Sequence, residues 1–152
     1  MSFKLQSPSF SNEGMIPAKF TCQGENVSPE LHWSDAPKGT KSFVLICDDP
    51  DAPDPAAPKM TWVHWVLYDI PAEVAKLAEK NPTNGVSGIT DFKKPGYGGP
   101  CPPIGTHRYF FKFYALDTML NLATGKTKVE IVKAMQGHIL AESVLMGKYL
   151  KK

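Results

Sequence analysis

The sequence predicts a mainly β protein, on the evidence of three apolar runs and a high content of turn-forming residues. The chain has 152 residues, of which 14 are proline and 12 are glycine, and this frequency is typical of many short strands and loops. Residues 42–47, 61–70 and 108–116 are rich in apolar, aromatic and β-branched side chains, as buried strands are. Because no linker, repeat or low-complexity tract interrupts the sequence, we expect residues 1–152 to form a single domain.

Two further segments are predicted to be helical, and a last strand is predicted to follow them. Residues 71–79 begin with proline, which suits a first helical turn, and continue with Ala, Leu, Glu and Lys. Thr127 and Glu130 have the spacing of a capping box. The apolar stripe that follows predicts a helix that continues to Ile139. Residues 144–150 are then expected to form the final strand.

The net charge, the length of the apolar runs and the number of cysteines indicate which partners and which cellular compartment to expect. The formal net charge is +2, with 42% hydrophobic and 21% charged residues, so nucleic acid is not a predicted partner. The apolar runs are too short to span a bilayer, which predicts no integral membrane association. An odd number of cysteines (three) and the absence of CxxC spacing predict reduced thiols. The first residues do not resemble a secretory signal, so we expect a cytoplasmic protein.

Four polar residues lie at or near the ends of the predicted strands. Asp49 and Asp51 follow the first apolar run, which we expect to stop there because Pro50 cannot donate to a β-ladder. His64 lies within the second run, and His107 immediately precedes the third. Strand ends of one sheet can meet at a single edge, so we expect these four side chains to converge on one pocket.

This set of side chains predicts a site for a small anion. A carboxylate beside an imidazole stabilises the charged imidazolium, and two imidazolium groups would act as N–H donors. Amides of the glycine-rich residues 96–105 could donate as well. Anion affinity is therefore expected to increase at mildly acidic pH. We also expect a cis X-Pro bond in residues 49–55 or 99–103, with Ala52–Pro53 as the first choice.

Aromatic side chains are expected mostly in the core, with some at the mouth of the predicted pocket. The candidates for that mouth are Trp62, Trp65, Tyr97 and Tyr109. The interpretation opposed to a site is that each histidine is an ordinary buried residue bonded to a backbone carbonyl.

Two sharper alternatives use the same residues. Two histidines and one aspartate could form the facial triad of a non-heme iron protein. The sequence has no local pair of ligands on one helical turn, so no metal is predicted. Cys101 could be a nucleophile activated by His64 or His107. The three prolines that flank Cys101 make a packed loop position the stronger interpretation.

The motifs together resemble a known family. Asp49-Pro50-Asp51-Ala52-Pro53, His64 in its apolar strand, and Gly99-Pro100 leading to Gly105-x-His107-Arg108-Tyr109 are similar to the two signature regions of the phosphatidylethanolamine-binding proteins. That family includes the Raf kinase inhibitor proteins. Similarity to its bacterial and archaeal branch is carried by Cys22-x-Gly24, Ser28-Pro29-x-Leu31-x-Trp33, Gly98-Gly99-Pro100-Cys101-Pro102-Pro103 and Gly137-His138-Ile139-Leu140-Ala141.

The resemblance implies both a fold and a binding site. The implied fold is a central antiparallel Greek-key sheet packed against a smaller sheet, with a few peripheral helices. The implied site is a small pocket for phosphate, a phosphorylethanolamine head group or acetate, with no cofactor. The matching positions are Asp49, Asp51, His64, Gly99, Pro100, His107 and Tyr109.

Two classes of function follow from these observations. The first is a non-catalytic protein that binds a small anion or phosphorylated ligand and modulates a partner kinase or hydrolase. The second is a small acid–base enzyme that hydrolyses a phosphoester or an acyl compound with the Asp and His side chains. The sequence has no serine or cysteine in an evident nucleophile motif, which favours binding. The oligomeric state, monomer or homodimer, is left open.

Overall fold

The computed structural model describes residues 2–80 and 82–151 as a two-sheet β structure. The strands are, in chain order, β1 (Lys4–Gln6), β2 (Leu31–Ser34), β3 (Ser42–Ala52), β4 (Met60–Pro71), β5 (Lys76–Leu77), β6 (Val86–Ser87), β7 (Thr106–Leu116) and β8 (Ile139–Leu150). The described helices are a 3-10 helix at Ala18–Phe20 and the α-helix α1 at Lys128–Met135. A three-stranded antiparallel sheet has the order β1-β2-β5, and a five-stranded antiparallel sheet has the order β6-β4-β3-β7-β8. The predicted mainly β fold class is confirmed.

The five-stranded sheet is buried on both faces along β3, its central strand. Phe43 and Leu45 point to one face, where they join the core shared with the small sheet. Val44 and Ile46 point to the other face, where Ile131 of α1 packs over the sheet. Each of these five side chains is fully buried. This two-sided burial explains why the sequence of β3 is continuously apolar at its start.

The helix predicted for residues 71–79 is not formed. A short turn, in which the Val74 amide donates to the Pro71 carbonyl, leads into β5. Leu77 is fully buried and pairs with Leu31 of β2. Helix propensity is a weak preference, and here burial of Leu77 in the small sheet outweighs it.

The predicted C-terminal helix is present but ends earlier than expected. The capping box of Thr127 and Glu130 forms, and α1 ends at Met135. Gly137 then adopts a φ of 81°, the left-handed conformation that commonly terminates helices. As a result Ile139 begins strand β8, which contains the strand predicted for residues 144–150 and starts five residues before it.

Strand β3 continues beyond the point where the sequence predicts that it ends. It runs through Asp48, Pro50 and Asp51 to Ala52. The pairing with β4 is irregular between Asp49 and Ala52, so Pro50 does not interrupt a regular ladder. The predicted cis bond between Ala52 and Pro53 is present.

Two of the three cysteines are linked, so the prediction that all three are reduced is wrong. Cys22 and Cys101 form a disulfide, with their Cα atoms 5.4 Å apart, which is an ordinary separation for such a bond. Cys47 remains a free thiol in the core, and burial raises its pKa well above the ordinary value. No helix within residues 2–80 and 82–151 has the length and apolar character needed to cross a membrane.

Candidate functional site

A small cavity lies at the end of the five-stranded sheet where the acidic part of β3 meets β4 and β7. Its volume is about 260 Å³, which suits a ligand smaller than the usual drug-sized occupant of a pocket. Its polar lining is contributed by Asp49, His64, His107 and Tyr109. The remaining walls are largely apolar and include Met60, Trp62, Phe92, Cys101, Pro102 and Pro103.

Strand alternation aims the polar side chains into this cavity. In β7, the buried residues Tyr109 and Phe111 point toward the core between the sheets, and His107 has the same parity. In β3, Asp49 lies two residues after Cys47, which belongs to the same core, so its carboxylate points to the same side of the sheet. The cavity therefore lies at the edge of the core shared by the two sheets.

A β-bulge places His64. Cys47 of β3 pairs with Trp65, whereas the next residue, Asp48, pairs with Val63. His64 is consequently the extra residue of β4 at this point. Bulges alter the direction of a side chain and are frequent beside functional sites. Here the bulge brings the imidazole of His64 to the cavity lining.

His107 has both ring nitrogens engaged by acceptors of the protein. Nδ1 lies 2.5 Å from Oδ2 of Asp49, and Nε2 lies 3.0 Å from the carbonyl oxygen of Pro53 and 2.9 Å from that of Ile104. Carbonyl oxygens and a carboxylate accept but do not donate, so both nitrogens carry protons. His107 is therefore an imidazolium paired with Asp49. The expectation that His107 donates to a ligand is wrong, because neither N–H is free.

His64 is held by one peptide group and keeps one ring nitrogen available. Its Nδ1 donates to the carbonyl oxygen of Gly98 at 2.7 Å, and the Gly98 amide donates to the carbonyl oxygen of His64 at 2.9 Å. Among the described residues Nε2 has no hydrogen-bond partner. Burial lowers the pKa of His64, and the Gly98 carbonyl and Asp49 oppose this only in part. The imidazole is therefore neutral at pH 7, with an unprotonated Nε2.

Tyr109 supplies a hydroxyl donor beside His64. The two ring centroids are 5.1 Å apart in an edge-on arrangement, and within the described chain no protein acceptor bonds the hydroxyl. Burial, together with the negative charge of Asp49, raises the pKa of Tyr109 far above its ordinary value. Its hydroxyl therefore stays protonated at every physiological pH.

Asp51 lies next to the cavity but points to Arg108. Its Oδ2 accepts from the backbone amide and Nε of Arg108 at 2.9 and 3.0 Å, and its Oδ1 accepts from Nη2 at 2.8 Å. These charge-assisted bonds hold the pKa of Asp51 below its ordinary value. The Asp51 amide in turn donates to Oδ1 of Asp49 at 2.7 Å. Asp51 thus positions the site and does not line the cavity.

Gly99 and Pro100, the two remaining predicted positions, are buried behind the wall of the cavity. The Gly99 amide donates to Oδ1 of Asn26 at 2.9 Å, and the Pro100 carbonyl accepts from the Cys22 amide at 3.1 Å. A Cβ atom on Gly99 would lie 2.3 Å from the carbonyl oxygen of Phe20. The structure therefore brings together four of the seven predicted residues in the cavity lining, and the other three support it.

The aromatic lining differs in part from the prediction. Trp62 and Tyr109 line the cavity. Trp65 and Tyr97 are absent from its lining and are buried in the core between the sheets. Phe92 is the main residue that sequence reasoning missed. It lies in an irregular loop of hydrophilic residues and glycine, where a single aromatic side chain gives no periodic signal.

The site argues against a cysteine nucleophile and against a metal bound by its histidines. Cys101 has no thiol to ionise, because its sulfur is bonded to Cys22. His107 could ligate a metal only after losing hydrogen bonds to Asp49 and to backbone carbonyls. In the part of the chain that the structure describes, no group of three or more His, Cys, Asp or Glu residues is arranged to hold a metal ion.

These features define a class: a two-sheet β protein with a small cavity whose polar end rests on a buried imidazolium–carboxylate pair. The family model for phosphatidylethanolamine-binding protein matches residues 6–150. The chain belongs to this family, which confirms the resemblance that its motifs carry.

Relatives of similar length support the assignment. A UPF0098 protein of Methanothermobacter thermautotrophicus is 46% identical over 151 residues, which cover 95% of this chain and 97% of that protein. A UPF0098 protein of Aquifex aeolicus is 47% identical over 94% of this chain and 85% of its own length.

Solved structures share the fold. A crystal structure of a putative phosphatidylethanolamine-binding protein homologue from Chlamydia trachomatis has a TM-score of 0.94 at 42% identity, over 99% of both chains. The crystal structure of YbcL from E. coli, described as a new member of the mammalian phosphatidylethanolamine-binding protein family, has a TM-score of 0.88 at 32% identity. That match covers all of both chains.

Proposed function

We propose that this protein is a non-catalytic binding protein for a small anion or a phosphorylated ligand. The observation that carries the proposal is a pair of polar groups at the polar end of the cavity, Nε2 of His64 and the hydroxyl of Tyr109, that have no hydrogen-bond partner among the described residues. The neighbouring side chains Asp49 and His107 are satisfied within the protein. The two free groups are therefore the ones available to a ligand.

The charges around the cavity are compatible with an anion. His107 neutralises Asp49, and Arg108 neutralises Asp51, so neither carboxylate presents an uncompensated negative charge to a ligand. Protonation of His64 at Nε2 would add a cationic donor next to the Tyr109 hydroxyl. Hydrogen bonds from such a donor to an anionic oxygen are stronger than those between neutral groups.

This arrangement couples anion binding to proton uptake. Because burial lowers the pKa of His64, the free protein holds a neutral imidazole at pH 7. An anion that accepts a hydrogen bond from Nε2 must bind together with a proton. Affinity is then expected to rise as pH falls, until His64 is already protonated in the free protein.

Isothermal titration calorimetry at pH 7.5 and pH 5.5 tests the proposal. The probes are inorganic phosphate, O-phosphorylethanolamine and sulfate, the last because its charge is constant over this range. We expect tighter binding of sulfate at pH 5.5, and loss of binding in His64→Gln. His138→Gln is the matched control, because His138 is exposed and pairs with Asp117 away from the cavity. Sulfate affinity that is flat or rises with pH would refute the proposal.

The remaining parts of the assignment are proposed on the sequence argument. They are a single domain over residues 1–152, modulation of a partner kinase or hydrolase, no cofactor, no metal and a cytoplasmic location. The disulfide removes one of the arguments for the cytoplasm, which rested on reduced thiols. Elemental analysis tests for metal, and native mass spectrometry tests for a homodimer. No observation favours the acid–base enzyme, and turnover assays across phosphoesters and acyl esters would reveal one.

A further inference from the structure

We propose that the disulfide between Cys22 and Cys101 controls the ligand cavity, so that reduction of this bond loosens one wall and weakens binding. The predicted loss of affinity rests on the proposed function. The predicted loosening of the wall rests on the structure of the wall itself. The wall in question is formed by residues 101–103, named here the proline loop. Cys101, Pro102 and Pro103 all line the cavity.

The backbone just before the proline loop is held by hydrogen bonds as well as by the disulfide. The Cys22 amide donates to the carbonyl oxygen of Pro100 at 3.1 Å, and the Gly99 amide donates to the Asn26 side chain at 2.9 Å. The Tyr97 hydroxyl donates to the carbonyl oxygen of Phe20 at 2.8 Å. These bonds do not depend on the redox state, so residues 97–100 are expected to keep their position after reduction.

The proline loop itself is held differently. Pro102 and Pro103 have no N–H group, so they cannot donate a backbone hydrogen bond. In the described structure no hydrogen bond of any kind involves residues 101–103. The next fixed point is Ile104, whose carbonyl oxygen accepts from His107. Residues 101–103 lie between Pro100 and Ile104. In the described structure, the disulfide from Cys101 to Cys22 is the link that ties them to another part of the fold.

The disulfide is open to chemical attack. Cys22 and Cys101 are both exposed at the surface, so a thiolate from solution can reach the disulfide. A dithiol reductant would transfer two electrons and two protons to the pair. The sulfur–sulfur bond breaks, two protein thiols form, and the dithiol is oxidised to its own disulfide. The third cysteine, Cys47, is buried and does not take part.

Release of the proline loop would reduce ligand affinity, because the loop would spend only part of the time in the position that forms the cavity. If the reduced protein holds the loop in its cavity-forming position for about 10–30% of the time, the apparent Kd increases about 3- to 10-fold. The polar end of the cavity would be unchanged, because Asp49, His64 and Tyr109 are held by β3, β4 and β7. The effect is thus on affinity and not on the pH dependence that His64 confers.

The test compares the oxidised protein with the same protein kept reduced by dithiothreitol. Sulfate affinity at pH 5.5 is measured by calorimetry, and the backbone mobility of Cys101 and Ile104 is measured by NMR nitrogen relaxation. We expect an affinity about 3- to 10-fold weaker after reduction, with greater backbone mobility of these two residues, and both changes are reversed by reoxidation. Cys22→Ser, which retains Cys101 in the wall, should behave as reduced under both conditions. Cys47→Ala, the matched control, should respond to reduction as the natural sequence does.

Equal affinity and equal backbone mobility of Cys101 and Ile104 in the two redox states would overturn the proposal. Loss of the dispersed resonances of β3 and β7 on reduction would also overturn it, because release would then not be confined to the proline loop. If neither form binds sulfate, the proposed anion-binding function fails. The backbone mobility of Cys101 and Ile104 then decides the redox proposal alone, supporting it if mobility rises on reduction and refuting it if it does not.

Discussion

The imidazole of His107 donates from Nδ1 to Oδ2 of Asp49 across 2.5 Å, and both side chains are almost completely shielded from solvent. The second N–H of His107 is shared by two backbone carbonyls, those of Pro53 and Ile104. One charged pair therefore joins the end of β3 to β7 and to the two loops that flank the cavity. A buried pair of this kind does not by itself add much stability, but removing one partner leaves the other charge unpaired.

The first prediction uses two substitutions of Asp49 that differ in how they leave His107. Asp49→Ala should lower the free energy of unfolding by about 3–5 kcal/mol, because it strands a buried imidazolium. Asp49→Asn should cost less. A neutral His107 can then accept at Nδ1 from the Asn amide while Nε2 still donates to the carbonyls. Urea denaturation monitored by circular dichroism measures both.

An exposed ion pair provides the control for this comparison. Asp117 and His138 are each close to half exposed, so Asp117→Ala should cost less than about 1 kcal/mol. If Asp49→Ala costs no more than Asp117→Ala, His107 is not a buried cation. An Asn substitution as damaging as the Ala substitution would refute the proposed change of tautomer.

The second prediction concerns the titration of His64. Its pKa in the folded protein lies below the ordinary value of 6.5 because the ring is buried. The unfolded chain therefore binds more protons in this window, and stability is lost as pH falls from 6.5 through the folded pKa. NMR of the ring nitrogens should give a midpoint for His64 below 6.5, and saturating sulfate should move it upward. The resonance is assigned by its absence in His64→Gln, and a midpoint at or above 6.5 without sulfate would contradict the prediction.

The large sheet could be predicted from the sequence because its signals are local. The sequences of β3, β4 and β7 each contain more apolar residues than a surface strand needs. The polar residues of the site lie at or near the ends of these strands. Alternation along β7 places Tyr109 and Phe111 on the buried face, while Arg108 is exposed and Phe110 is half-buried on the other face. The position of Asp49 and His107 at one sheet end follows from these strands alone.

The parts that could not be predicted depend on distant partners. Leu77 is buried by pairing with β2, which overrides a helix-favouring composition in residues 71–79. Cys22 and Cys101 are separated by 79 positions in the sequence, and an odd number of cysteines does not reveal which two approach. The sequence predicts that His107 faces a ligand. It does not reveal the carbonyl partners of the ring, Pro53 and Ile104, because both lie in loops whose course has no periodic signal.

The third prediction measures the contribution of the disulfide to stability. A cross-link that closes a long loop restricts the unfolded chain, and removing a native one from a small domain typically costs about 2–5 kcal/mol. We expect Cys22→Ser combined with Cys101→Ser to lower the free energy of unfolding by that amount. Dithiothreitol should destabilise the natural sequence similarly and leave the double variant unchanged. A double variant that still loses stability in dithiothreitol would show that the reductant acts elsewhere.

The last prediction separates two neighbouring glycines by what surrounds them. A Cβ on Gly98 would lie 2.4 Å from the ring of Phe92, whereas a Cβ on Gly99 would lie 2.3 Å from the backbone oxygen of Phe20. A side chain can move aside but a packed backbone cannot, so Gly99→Ala should be the more damaging change. Gly98→Ala should cost about 1–3 kcal/mol as an overpacking substitution.

The Phe92→Ala background tests the cause of the Gly98 effect. There the clash is gone, and Gly98→Ala should cost less than about 0.5 kcal/mol, so that the two substitutions are strongly non-additive. Gly99→Ala should cost the same in both backgrounds, because Phe92 is not its obstacle. All six proteins are compared by urea denaturation, and the His64 ring resonance reports whether the Gly98 peptide still holds the imidazole. Equal costs for Gly98→Ala with and without Phe92 would place its obstacle in the backbone and refute this explanation of the glycine.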